Sequence, residues 1–243
     1  MRISRVHTGA GLVVGEEVSL DKLQSHYLKH VLRLKSGAAL ILFNGREAID
    51  YQARLIVDGK KLSARIDAAT PLHNESGLDS EIIQGLGRAD HMDWVIQKTT
   101  ELGVNKISIF NAERTQSSLK PAQLEKKLAH WRGVAISACE QSGRALLPQV
   151  EFHTSLDQAI AASIIETKLL LDFDGAALAS VMQSPCTALS ILLGPEGGLS
   201  PTEIQLARTA GFAAARLGPR VLRTETAATA ALAIAQSSLG DLS

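Results

Sequence analysis

A change of periodicity at residues 70–77 divides this chain into two different folding problems. Before it, short apolar runs at Ala39–Phe43, Asp50–Val57 and Lys61–Asp67 are separated by the dipeptides Asn44-Gly45 and Asp58-Gly59. Such dipeptides accept the positive φ angles of tight turns. This part is therefore expected to form a small antiparallel sheet or barrel, with one helix near Asp21–Arg33. The segment Thr70-Pro-Leu-His-Asn-Glu-Ser-Gly77 is rich in turn formers and reads as a linker. After it, strand-like runs at Glu81–Leu86, Lys106–Phe110, Gln149–Phe152, Lys168–Phe173, Leu189–Leu193 and Ala213–Leu217 alternate with helix-like segments. That alternation is the signature of a parallel sheet with crossover helices. The expected organisation is an α/β chain with domains at residues 1–72 and 73–243.

The helices have recognisable limits. Met92, Val95, Ile96 and Leu102 recur at helical spacing over Asp90–Leu102, and Gly103 stops the run. A longer helix is expected over Pro121–Gln141. Ser200-Pro-Thr-Glu203 supplies an N-cap, a first-turn proline and a capping-box glutamate for a further helix, which Gly211 ends. An alanine-rich helix starts at Thr224-Glu-Thr226 and ends near Gln236.

Net charge is zero over 243 residues, but it is unevenly distributed. Residues 1–72 carry eleven Lys/Arg against seven Asp/Glu, an excess of four that the remainder of the chain cancels. Within this part, His26-Tyr-Leu-Lys-His-Val-Leu-Arg-Leu-Lys35 contains no acid. That asymmetry suits a polyanion-binding module joined to a neutral or acidic catalytic one; a solvated basic helix face accounts for it equally. No apolar run approaches the roughly 20 residues that span a bilayer, and the N-terminus lacks a signal-peptide core, so a cytoplasmic location without membrane attachment is expected. Cys139 and Cys186 form no Cys-x-x-Cys pair and read as reduced, buried thiols.

In open α/β sheets, ligands bind beyond the carboxyl ends of the strands. Three loops in that position stand out. Asp172-Phe-Asp-Gly175 lacks the further acids of a calcium loop and reads as a turn with solvated carboxylates. Gly194-Pro-Glu-Gly-Gly198 comes directly after the most apolar strand, and its glycines would let backbone approach a ligand closely. Glu196 and Glu203 oppose an anion there, which favours a neutral or cationic ligand. Leu217-Gly-Pro-Arg-Val-Leu-Arg-Thr-Glu-Thr-Ala-Ala228 places Arg223 just before a helix start, where a cation is electrostatically wrong unless another partner requires it. Gly85-Leu-Gly-Arg-Ala-Asp90 holds only two of the three glycines of a dinucleotide fingerprint, which disfavours a nicotinamide oxidoreductase. The seven histidines are too scattered to suggest a metal site.

These residues resemble the SPOUT class of methyltransferases, and specifically the bacterial 16S ribosomal RNA uracil-N3 methyltransferases. The likeness runs through His26–Leu34, Asp93–Val104, Glu113-Arg-Thr115, Ala138-Cys-Glu-Gln-Ser-Gly-Arg144, Leu193–Pro201 and Leu217–Ala227. It implies a PUA-like β-barrel that helps hold RNA, followed by an α/β domain whose parallel sheet is tied in a trefoil knot. It also implies a homodimer, S-adenosylmethionine as cofactor, and 16S ribosomal RNA of the small subunit as partner, methylated on N3 of one uridine. A different nucleotide target, such as a tRNA ribose, and a non-catalytic RNA chaperone or assembly factor are the rival readings.

Carried over by position, the cofactor would be lined by Leu193, Gly194, Pro195, Glu196, Gly197, Gly198, Leu217, Gly218, Arg220, Leu222, Thr224 and Thr226. Arg223 would stabilise charge on the uracil oxygens, and Glu225 or a water would accept the proton of the ring nitrogen. Arg114, Gln141, Ser142 and Arg144 would contact the flipped base or nearby phosphates, with structural salt bridges the other use of the arginines. Arg2, Arg5, Lys29, His30 and Arg33 would contact phosphates.

Overall fold

The computed structural model describes residues 3–59, 61–116, 118–182 and 186–242. It falls into two compact units, residues 1–75 with 139–147, and residues 76–138 with 148–243. The nine residues from Cys139 to Leu147, which the sequence groups with the second part, pack with the first.

In the first unit, β1 (Ser4–His7), β2 (Glu17–Ser19), β3 (Ala39–Phe43), β4 (Ile49–Asp58) and β5 (Lys61–Pro71) form one sheet in the order β1-β3-β4-β5-β2. The pairs β3–β4 and β4–β5 are antiparallel, as the hairpin dipeptides require, and β2 pairs antiparallel with the far edge of β5. Asn44 Oδ1 accepts from the backbone of Arg46 and Glu47, and Gly45 takes φ 78°. The pair β1–β3 is parallel instead, which the long intervening segment makes possible. That segment holds α1 (Lys22–His26), boxed by Asp21 and Gln24, and a π-helical turn over Tyr27–Val31. Val6, Leu28, Leu40, Leu42, Leu55 and Ile66 fill the core of this unit.

The second unit is built on six parallel strands: β6 (Asp79–Gly85), β7 (Lys106–Phe110), β8 (Gln149–His153), β9 (Lys168–Ala177), β10 (Ala188–Leu193) and β11 (Ala213–Arg216). Their spatial order is β11-β9-β10-β6-β7-β8. The helices are α2 (Ala89–Glu101), α3 (Pro121–Ser142), α4 (Leu156–Ala161), α5 (Leu178–Val181), α6 (Pro201–Thr209) and α7 (Thr224–Leu239). Neighbouring residues of one strand serve opposite faces: Ile82 and Ile191 join a core with Val95, Trp131 and Leu232, whereas Ile83 and Leu192 join one with Leu156, Ala207 and Phe212. A sheet covered on both faces explains why these strands read as continuous apolar runs.

The Ser200 cap is present as expected, with Glu203 closing the box. The Glu203 carboxylate also accepts from the backbone N–H of Glu113 at 3.0 Å, so it fixes a second loop.

Two expectations are corrected. Asp172–Gly175 is no free turn but lies inside β9, where the register against β11 jumps from the Leu170–Ala214 pair to the Ala176–Ala215 pair. Gly175 sits where a Cβ would come within 2.3 Å of the Ala215 nitrogen, so the backbones meet there and only glycine fits. The cysteines also differ from each other. Cys139 is buried and burial pushes its thiol up to about 12, whereas Cys186 is partly exposed. Alkylation at pH 8 should therefore label Cys186 in the native protein and reach Cys139 only after denaturation; rapid native labelling of both would contradict the burial of Cys139.

Candidate functional site

At the carboxyl ends of β9, β10 and β11 lies a cleft of about 730 Å³. Leu170, Leu193, Ala215, Leu217, Leu222 and Ala227 give it an apolar lining. Its polar groups are Asp172 of β9, Arg216 at the end of β11, Glu196, Arg220 and Arg223 from the loops after β10 and β11, Thr224 and Glu225 of α7, and Arg88 and His91 from the start of α2.

The loop after β10 is shaped by close approach. A Cβ on Gly194 would stand 2.9 Å from the backbone of Gly198 and Leu199, and Gly198 takes φ 69°. Gly85 and Gly87 of the incomplete fingerprint do not cradle a phosphate. A Cβ on Gly85 would meet Pro195 at 2.5 Å, and one on Gly87 would meet the Glu196 carboxylate at 2.8 Å, so these glycines let the β6 and β10 loops pack together. Buried Gln84 completes the joint, donating to the Gly194 carbonyl at 3.1 Å and to Thr224 Oγ1 at 2.9 Å, while the Thr224 hydroxyl donates to the same carbonyl. Thr224 thus binds the β10 loop to the start of α7.

Glu196 Oε1 accepts from the backbone N–H of Arg88 at 2.9 Å and lies 2.7 Å from His91 Nδ1. Burial alone would raise the Glu196 carboxyl, but the N–H groups of Arg88 and of Glu196 itself, with His91, outweigh it and hold it below the usual carboxylate range. Glu225 is buried on the first turn of α7, and its Oε2 has no hydrogen-bond partner. Arg223 occupies the N-cap position of that helix without a side-chain cap bond. Among the described residues, Arg216, Arg220 and Arg223 are exposed and lie within salt-bridge distance of no carboxylate. The arrangement offers unneutralised cations and a carboxylate oxygen without a hydrogen-bond donor over an apolar floor. It can hold a mostly apolar ligand that bears both charges.

Of the residues singled out by sequence for the cofactor, Leu193, Gly194, Pro195, Glu196, Gly198, Leu217, Arg220, Leu222 and Thr224 line this cleft, together with Arg223 and Glu225. Gly197, Gly218 and Thr226 do not. Gly197 packs on the Arg114 backbone, Gly218 provides a turn at φ 73°, and Thr226 is exposed. His91, Gln84 and Arg88 escape a sequence reading, because an isolated histidine or glutamine beside a strand end has no diagnostic spacing.

The residues assigned to RNA separate sharply. Arg2 lies outside the described residues. Lys29, His30, Arg33, Arg114 and Gln141 are partly or fully exposed, and Lys29 Nζ donates to the Gly59 carbonyl. Arg5 and Arg144 are instead buried. Arg5 pairs with Asp50, donates to the Arg144 carbonyl at 3.0 Å and stacks over the Phe43 ring. Arg144 reaches Glu75 through Nε and Nη2, each at 2.9 Å. Both guanidiniums are used inside the first unit, so Arg5 is corrected from a phosphate contact to a structural group and Arg144 takes the salt bridge that was its other expected use, while the Ser142 hydroxyl is buried without a hydrogen-bond partner.

The fold and cleft correspond to a known class. Residues 74–236 match the RNA methyltransferase domain and residues 20–67 the RNA methyltransferase PUA domain. Over all 243 residues the chain is 32% identical to ribosomal RNA small subunit methyltransferase E of Buchnera aphidicola, covering 100% of this chain and 99% of that one. A crystal structure of a ribosomal RNA small subunit methyltransferase E from Neisseria gonorrhoeae bound to S-adenosylmethionine superposes with a TM-score of 0.91 at 36% identity, covering both chains fully. A chain from Legionella pneumophila, solved in complex with bound S-adenosylmethionine, gives 0.93 at 33% identity, again over both whole chains. This chain is an RNA methyltransferase by its domains. It belongs to the ribosomal RNA small subunit methyltransferase E family.

Proposed function

We propose that this protein transfers a methyl group from S-adenosylmethionine to N3 of one uridine in 16S ribosomal RNA of the small subunit, in the cytoplasm. The observation that carries the reading is the Arg223–Glu225 step at the head of α7. There a guanidinium within salt-bridge distance of no carboxylate among the described residues and a buried carboxylate oxygen without a hydrogen-bond donor line one cleft.

The residues fit the cofactor. The apolar lining suits an adenine ring, the free arginines suit a carboxylate, and Glu196 and Glu225 suit the cationic end. Leu193, Gly194, Pro195, Glu196, Gly198, Leu217, Leu222 and Thr224 would hold it, with Gly197 and Gly218 shaping the loops. When bound, S-adenosylmethionine supplies an electrophilic methyl group. The chain does the rest. Arg223 faces the uracil oxygens and stabilises the negative charge that develops as N3 loses its proton, and Glu225 or a water takes that proton. We further propose that the second domain, residues 73–243, is knotted in a trefoil, that residues 1–72 form the RNA-holding barrel, and that two copies associate.

The test is nucleoside mass spectrometry on ribosomal RNA from cells lacking the protein, before and after treatment with purified protein and labelled S-adenosylmethionine. The expected result is loss and recovery of N3-methyluridine at one site. Label in a different nucleoside would move the assignment to another target, and no label at all would favour the assembly-factor reading.

Lys29, His30 and Arg33 are the proposed phosphate contacts of the first unit, with Arg114 and Gln141 nearer the base. Replacing Lys29 and Arg33 together should lower the slope of log affinity against log salt by about 1.4 to 1.8, as for two lost phosphate contacts. An unchanged slope in a titration with small-subunit RNA would remove these residues from the interface.

A further inference from the structure

We infer that His91 is a positioning residue of the cleft, holding the loop after β10 beside Glu225 while leaving the Glu225 oxygen open to the ligand; the inference rests on the methyl-transfer reading above. One ring nitrogen, Nδ1, lies 2.7 Å from Glu196 Oε1 and 3.7 Å from Glu225 Oε2. The first is a hydrogen bond, and the second lies just beyond that range. The other nitrogen, Nε2, is 3.8 Å from Asp90 Oδ2, and Arg88 Nε is 3.7 Å from Asp90 Oδ1. These are the charged neighbours of the ring from its own helix, from the β10 loop and from α7.

The imidazole stands between the two carboxylates, bonded to one and close to the other. Glu225 Oε2 is buried with no donor, and a bare anionic oxygen in that setting is costly. The imidazole 3.7 Å away offsets part of that cost without occupying the oxygen, which stays available to the ligand. In the transfer, the N3–H bond of uracil breaks and its proton passes to Glu225 Oε2. The electron pair left on nitrogen takes the methyl carbon, and the C–S pair stays with sulfur. Glu225 becomes neutral while Glu196 remains bound to the imidazole, so the loop that holds the site does not move as the charge changes.

The experiment combines imidazole NMR on the unliganded full-length chain with kinetics. The 1H and 15N signals of the His91 ring should move in Glu196→Gln and in Glu225→Gln, because both carboxylates face Nδ1. His91→Gln should lower kcat about tenfold or more with the RNA KM little changed, and His91→Lys should restore most of the loss. Unmoved ring signals, or full kcat in His91→Gln, overturn the inference. If the wild-type chain transfers no methyl to ribosomal RNA, the functional reading fails, and the NMR measurement still decides whether the two residues are coupled.

Discussion

Replacing Arg223 with alanine is expected to lower kcat about 100- to 1,000-fold while bound S-adenosylmethionine is retained. The size follows from where the charge sits. Arg223 is the N-cap residue of α7, beside helix amides that already favour negative charge, and no carboxylate neutralises it. Its guanidinium contributes nothing to capping, so its removal should not disturb the helix. The loss should therefore fall on turnover, and single-turnover transfer of a labelled methyl to small-subunit RNA, run beside calorimetric titration of the cofactor, separates the two. Normal turnover with the cofactor bound would show that the oxygens of the base are stabilised by another group, with Arg216 and Arg220 next in reach of the same cleft.

The second large effect is on stability. Glu75 is a fully engaged carboxylate: Oε2 receives the Arg144 guanidinium, and Oε1 accepts from the backbone N–H groups of Ala145 and Leu146, each at 3.2 Å. Arg144 is only 4% exposed, so Glu75→Ala takes the carboxylate from beside a buried cation and leaves two backbone donors unmet. A loss of about 3–5 kcal/mol is expected, read as a lowered urea midpoint at unchanged slope. The amides of β3 and β4 should lose protection from hydrogen exchange first, because this pair belongs to their unit. A loss below about 1 kcal/mol would mean that the pair is effectively solvated.

Arg144 also shows what a sequence conceals. Its partner Glu75 is 69 residues away and that of Arg5, Asp50, is 45 away, so nothing local distinguishes an inward arginine from one that meets RNA. The parallel strands were legible because both of their faces are buried, which leaves a run of Ile and Leu too apolar for any other use. The Ser200 box was legible because a cap is a local device of four residues. The interior of β9 was not, since Asp-Phe-Asp-Gly has turn composition and only the tertiary approach of β11 holds it extended. Much of the cleft could be placed because glycine loops at strand ends have a mechanical reason to exist. His91 and Gln84 could not, because their roles depend on loops that begin more than a hundred residues later.

The passage of residues 139–147 into the first unit has a practical consequence for dissecting the chain. A fragment cut at residue 72 would lack Glu75 and Arg144 and leave Arg5 without its carbonyl acceptor, so a failure of that fragment to fold would say nothing about the autonomy of the first unit. Chimeras with relatives face the same joint. The transplanted piece has to include the end of the long helix and the loop beyond it, or the graft unites a sheet with a buttress inherited from a different parent.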